Sequence, residues 1–415
     1  MLKNDEVDVV IAGGSESLSR FHLNGFNTLM ILDHEQCRPF DETRMGLNLG
    51  EGAAFVVLER EDDAVTRGAG IQAYLTGYAN ACDAFHQTAS SENGDGAFLA
   101  MTQALKAADL KPAEIDYVNA HGTGTPNNDQ SESMALKRVF GENLPPVSST
   151  KSYTGHTTSA SGSIETVICL LAMEHGFIPS NLGWKNAMKE GIIPSMGAEN
   201  VTLNHVVCNS FGFGGNDSSL ILSKLPVGTT EPAAVDKEIV VLAESVVSCS
   251  EQLKELKEFV SPLESRRMGK LLKAATLTSL RCLKTAGLEK PDAIITATAY
   301  GMLETSEKFL EDICRNGEQA LSPTLFMQST HNTLSSAIAI RTKCHGYNIT
   351  YTQGAASLEW AMRDAERLLR QGKAKHVLVG CHDEATETFC DFMKRLGKPV
   401  PEMVISKSIL LGVKE

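Results

Sequence analysis

The feature that most constrains this chain is a pair of related segments near its two ends. "VDVVIAGGSE" (7–16) lines up residue for residue with "KHVLVGCHDE" (375–384). Both read as strands that end in polar side chains. In the second copy a helical pattern ending "LLRQGKA" comes first, whereas only "MLKNDE" stands in that place in the first copy. The chain is therefore expected to join this pattern part-way through. A strand–helix module used twice narrows the fold to architectures that repeat it.

The intervening sequence agrees. "GAFLAMTQALKAADL" (96–110), "SGSIETVICLLAMEHG" (161–176), "RMGKLLKAATLTSLRCLKTAG" (267–287) and "SLEWAMRDAERLLRQG" (357–372) read as helices. "IDYVNAHG" (115–122), "EIVVLAESV" (238–246) and "PDAIITATAYG" (291–301) read as strands. Their alternation predicts a layered α/β fold with mixed or parallel sheets. Prolines, small residues and charges without an apolar period mark 225–238 as a linker, leaving domains at 1–224 and 239–415.

Composition excludes several classes. A length of 415 residues allows two or three domains with real cores. A formal charge of −13 argues against nucleic acid and anionic membranes as partners. No run of 18 apolar residues offers a membrane span. The start, "MLKNDEVDVV", lacks the basic and long apolar parts of a signal peptide. Ten scattered Cys without a CxxC pair suit reduced thiols and a cytoplasmic location.

Three polar stations carry the chemistry. "HGTGTP" (121–126) places His121 at a strand end, with Gly122 and Gly124 permitting tight turns. "KSYTGHTTSASG" (151–162) sets Lys151 ahead of His156 and leads into a helix bearing Glu165. "NSFGFGGND" (209–217) is a Gly-rich turn with Phe211, Phe213 and Gly214. Taken singly, each has a plain structural role, and "FGFGG" lacks the spacing of a phosphate loop. The consecutive residues of "CHDE" (381–384) cannot all face one ion, so no metal is expected. All three stations together, in this order, point to a site.

"RPFDETRMGLNLGEGAAFVVLE" (38–59), "NAHGTGTPNND" (119–129), "SSTKSYTGHTTSASG" (148–162) and "CNSFGFGGND" (208–217) resemble the β-ketoacyl-acyl-carrier-protein synthases. The resemblance covers nearly all of 1–224 and implies a thiolase-like layered fold. It also implies decarboxylative condensation of acyl and malonyl thioesters in fatty acid or polyketide synthesis. No cofactor is implied beyond the phosphopantetheine arm of an acyl carrier protein, the expected partner alongside a homo- or heterodimeric synthase. Carried over by position, His121 and His156 are the catalytic histidines and Lys151 supports them. Phe213 is the gate in its Gly-rich turn with Phe211 and Gly214, and Glu165 belongs to a buried polar site. Two neutral imidazoles donating N–H groups would stabilise the enolate oxygen that decarboxylation leaves. Arg38, Arg44, Lys185 and Lys189 are candidate contacts for an acidic carrier.

The family's nucleophilic cysteine precedes the helix that leads into the repeated strand. The repeat offset of 368 puts the first module's cysteine position at −15 or −13, outside the chain. Residues 239–398 resemble the N-terminal half of the same family more faintly, and there the nucleophile position falls on Gln353 or Ala355 in "YTQGAAS". That departure is similar to the chain-length-factor type of partner subunit. Cys82, Cys208 and Cys381 read as small apolar fillers rather than substitutes. Three functions stay open: a synthase whose thiol comes from upstream sequence or another subunit, a non-catalytic partner, and a malonyl decarboxylase. Also open is whether the two halves dock on each other as a permuted whole or each on another chain.

Overall fold

The computed structural model describes residues 2–228, 238–400 and 404–414. Residues 229–237, within the expected linker, lie outside the described residues. The chain forms two compact units. The first comprises 1–80, 89–212 and 217–230, and the second 81–88, 213–216 and 231–415.

In the first unit, β1 (Val9–Glu16) and β2 (Gly52–Glu59) form an antiparallel ribbon with Ile11 opposite Val57. A five-stranded sheet takes β3 (Tyr74–Cys82), β4 (Tyr117–Asn119), β5 (Val147–Ser148), β8 (His205–Gly212) and β9 (Asn216–Ser223) in the order β3-β9-β8-β4-β5. The short β6 (Phe177–Ile178) and β7 (Ala198–Glu199) pair with each other. Alternation decides which face each sheet residue serves. Val118 and Val207 face the helices Asp95–Ala108 and Pro126–Phe140 through Met101, Leu105 and Leu136. Their neighbours Tyr117, Val206 and Cys208 face the helix Ser161–His175 through Cys169, Ala172 and Met173. The result is a helix–sheet–helix sandwich.

The second unit repeats that plan. Its sheet runs β10-β14-β13-β11-β12, from β10 (Ile239–Val247), β11 (Ala293–Ala297), β12 (Asn348–Tyr351), β13 (His376–Glu384) and β14 (Val404–Val413). β11 lies parallel to β12 and β13, while β14 runs antiparallel to β13 and β10. One face packs Val377, Val379 and Ile295 on Ala361, Ala365, Leu368 and Leu369 of the helix Ser357–Arg370. The other packs Ile294, Leu378 and Leu410 on Cys282 and Leu283 of the helix Lys270–Thr285. Burial on both faces explains the continuous apolar run in "HVLVG". The mixed α/β layers agree with the expected fold class.

Candidate active site

His121 stands just beyond β4, where the chain leaves the sheet. The loop after it needs glycine: Gly122 has φ +36°, and a Cβ there would lie 2.6 Å from Ser149 Cβ. The helix Pro126–Phe140 then starts with proline in its first turn, where a missing N–H costs nothing. Two carboxylates on that helix reach back to the loop. Glu132 accepts the N–H groups of His121 (2.8 Å) and Gly122 (2.7 Å). Asp129 accepts those of Gly124 (3.1 Å) and Phe40 (2.8 Å). Burial pushes the Glu132 carboxyl up to about 7, against the pull of its two N–H donors. Sequence reasoning missed both residues. Their signal was present: a loop rich in glycine exposes N–H groups, and acceptors on the next helix are the simplest way to satisfy them.

His156 arrives from the loop between Lys151–Thr154 and Ser161–His175. Its N–H donates to Asn48 O at 2.7 Å and its carbonyl accepts from Gly50 N at 3.1 Å. The two imidazoles meet edge to face, with centroids 5.3 Å apart and planes at 82°. Phe211 closes one side, its ring 6.0 Å from that of His121.

Lys151 is 1% exposed. Its ammonium donates to His121 O at 2.5 Å and to Glu165 Oε1 at 2.5 Å, and stands 3.4 Å from His121 Nδ1. Ser161 also donates to Glu165 Oε1, at 3.3 Å. Burial raises the Glu165 carboxyl, and Lys151 opposes that rise. A lysine ammonium only donates, so the ring nitrogen facing it must accept. His121 therefore carries its proton on Nε2. Likewise Thr158 N–H donates to His156 Nδ1 at 3.3 Å, fixing His156 as the Nε2–H tautomer. Burial first, and then the Lys151 charge, hold both imidazoles well below the usual histidine range. The site thus presents two neutral N–H donors, one on buried His121 and one on half-buried His156. It can stabilise a negative oxygen and is poorly suited to serve as a proton-loaded acid.

No cysteine among the described residues stands ready as their nucleophile. Cys37 Sγ donates to Lys151 O at 3.4 Å, and burial raises its pKa. Cys208 packs against Cys169, whose thiol is raised well above the ordinary value by its hydrogen bond with Cys208 and by burial. In the second unit, Cys82 is a buried filler beside Cys282 and Ile338. Burial pushes Cys381 up to about 11.

The other expected residues fall as follows. Phe213 and Gly214 belong to the second unit, where Phe213 O accepts from Asn332 Nδ2 at 2.9 Å and Gly214 N donates to Gln87 O at 2.7 Å. Gly214 has φ +84°, and a Cβ there would lie 2.0 Å from Ser336 Oγ. Gln353 and Ala355 are exposed on the turn between β12 and the helix Ser357–Arg370. Ser357 Oγ, within reach of Gly354 O (2.8 Å) and Thr298 O (3.0 Å), pins that turn. No group of His, Cys, Asp and Glu among the described residues could hold a metal ion. Arg38 donates to Thr43 O (2.7 Å) and pairs with Asp33 (3.2 Å), while Arg44 donates to Asp41 O (2.9 Å) and Pro126 O (3.0 Å). Both guanidinium groups serve their own chain, and only Lys185 and Lys189 stand exposed.

Comparison with known proteins bears on this geometry. The family models described as "Beta-ketoacyl synthase, N-terminal domain" match residues 1–64 and 244–407, and "Beta-ketoacyl synthase, C-terminal domain" matches 72–185. The mitochondrial 3-oxoacyl-[acyl-carrier-protein] synthase of Arabidopsis thaliana is 39% identical over 240 residues, which is 54% of this chain and 52% of that protein. The chain spans about half the length of the curated relatives it matches. Among solved structures, the ishigamide ketosynthase/chain length factor is 36% identical with a TM-score of 0.51, covering 54% of this chain and 55% of that one. The PfaC keto synthase-chain length factor covers 99% of this chain and 56% of its own at a TM-score of 0.78 and 20% identity, a likeness of fold.

Proposed function

Since the chain belongs to the β-ketoacyl synthase family, we propose that its first unit stabilises the enolate formed when a malonyl thioester loses CO2. The observation that carries this reading is the pair of neutral Nε2–H imidazoles 5.3 Å apart. When the malonyl C–CO2 bond breaks, its electron pair moves onto the α-carbon and thioester oxygen. Two donors at that spacing suit one such oxygen. Each well-placed donor contributes about 2.7–4 kcal/mol of barrier lowering in a water-poor site. Burial, reinforced by like-charge repulsion from Lys151, keeps both rings uncharged, and Lys151 fixes the His121 tautomer.

In the full condensation the enolate carbon attacks an acyl thioester on a cysteine. That cysteine must come from outside the residues that surround the histidines here. The substrates are carried on an acyl carrier protein, as the names of the 3-oxoacyl-[acyl-carrier-protein] synthases state for those relatives. We assign the second unit a different role. The two candidate nucleophile positions, Gln353 and Ala355, lie at the turn between β12 and the helix Ser357–Arg370, and neither a carboxamide nor a methyl group forms an acyl-enzyme. This favours a shaping role, as in the chain-length-factor partner type.

The test incubates the purified chain with malonyl-carrier and acyl-carrier thioesters. CO2 release without carbon–carbon bond formation, abolished in His121→Ala and His156→Ala, is the expected result. No release above the uncatalysed rate would overturn the enolate assignment.

A further inference from the structure

We infer that Glu16 is a positioning residue for His156, acting through the turn at Thr158 and Ser159. Its rate prediction rests on the enolate reading, and its spectroscopic prediction on geometry alone.

Glu16 ends β1, far from His156 in sequence. One carboxylate oxygen gathers the turn: it accepts from Thr158 Oγ1, from Ser159 Oγ at 2.8 Å and from Ser159 N at 3.2 Å. The other accepts from Ser17 N at 3.1 Å and lies 3.5 Å from His22 Nδ1. The strand approaches the turn closely, since a Cβ on Gly14 would lie 2.2 Å from Ser159 O.

The turn needs such an anchor. Thr158 has φ +32°, on the left-handed side that a β-branched residue avoids. Held there, its N–H meets His156 Nδ1 at 3.3 Å. Among the hydrogen bonds of the described residues, that contact leaves the His156 proton on Nε2. The chain of cause therefore runs from a carboxylate at a strand end, through two hydroxyls and a strained backbone, to the N–H that faces substrate. Burial opposes ionisation of Glu16, but the donors on Thr158 and Ser159 outweigh it and hold the carboxyl below its ordinary value.

The experiment uses the full chain with 15N-labelled histidine, reading imidazole tautomers by long-range 1H–15N correlation, with His156→Gln for assignment. Wild type should show His156 as Nε2–H. Glu16→Ala should turn that signal into a tautomer mixture and leave His121 unchanged. Its malonyl decarboxylation should fall about 100-fold in kcat, the cost of misplacing a catalytic group by about an ångström, with a much smaller change in KM. Glu16→Gln keeps an acceptor oxygen and should restore the His156 signal and most of the rate. Thr158→Val, which removes one hydroxyl and keeps the shape, should reproduce part of the change and carries the test if Glu16→Ala does not fold. An unaltered His156 signal in folded Glu16→Ala or Thr158→Val would overturn the inference. A wild type that releases no CO2 would instead sink the enolate reading and leave the tautomer test intact.

Discussion

Each unit buries a histidine in a polar network, and the two networks are built from different materials. In the first, His121 leans on an ion pair between Lys151 and Glu165. In the second, fully buried His382 bonds only hydroxyls: Nδ1 to Ser406 Oγ at 2.8 Å, then Ser406 to Thr278 at 3.0 Å and Thr278 to Ser408 at 2.8 Å. A buried ion pair seldom contributes net stability, because the two charges lose their hydration. A neutral network carries no such burden. The difference teaches that the first unit tolerates charge for the sake of the imidazoles beside it, while the second holds its histidine through Nδ1 and hydroxyls and leaves His382 Nε2 buried without a hydrogen-bond partner. His382 sits where the repeat has Gly14, so the same strand position lets the Ser159 turn approach closely in one copy and carries a buried imidazole in the other.

Experiments can break that contrast, taken from the largest effect to the smallest. His121→Ala or His156→Ala should cut malonyl decarboxylation about 100–1000-fold, as for loss of an oxyanion donor. His382→Gln should leave the rate unchanged. Lys151→Ala should destabilise the first unit by about 3–5 kcal/mol in denaturant titrations, because Glu165 is left buried and unpaired. Lys151→Met with Glu165→Leu should recover most of that loss while staying inactive. Gly380→Ala should cost about 1–3 kcal/mol through overpacking, since its Cβ would lie 2.2 Å from His382 Nε2.

A last test concerns acid. Burial holds His382 down to about 3 in the folded chain, against 6.5 when unfolded. Between those values the unfolded state binds a proton that the native state refuses. The His382 contribution is therefore full above about pH 6.5 and falls as pH drops toward 3, by up to about 1.4 kcal/mol per pH unit, while Glu384, raised by burial to about 7, works in the opposite direction between about 4.5 and 7. His121 and His156 contribute in the same direction as His382. A pH dependence of the melting temperature that was the same in wild type and in His382→Gln would remove the contrast.

Much of this was legible in the sequence. The periodic helices emerged close to their expected limits: 161–176 became Ser161–His175, and 357–372 became Ser357–Arg370. The helix read over 267–287 starts only at Lys270, because Gly269 takes an extended capping conformation with ψ 168°. The strand read over 115–122 shortened to Tyr117–Asn119, since His121 and Gly122 give their N–H groups to Glu132 instead of a neighbouring strand. The histidines, Lys151 and Glu165 were readable because their motifs are local. Glu132 and Asp129 left a general signal, acceptors on the helix that follows a loop rich in N–H groups, which does not say which carboxylate serves which N–H. Glu16 left none, because it acts on backbone 143 residues away.

The β1–β2 ribbon has one further consequence. Two strands alone are at best marginally stable in water, and Val9, Ile11, Phe55 and Val57 on this pair face outward. The hydrophobic grip on the ribbon comes from the helix Ser161–His175, with Ile164 lying over Gly52. Whatever loosens that helix would slacken the strands as well, and with them the tether that reaches His156.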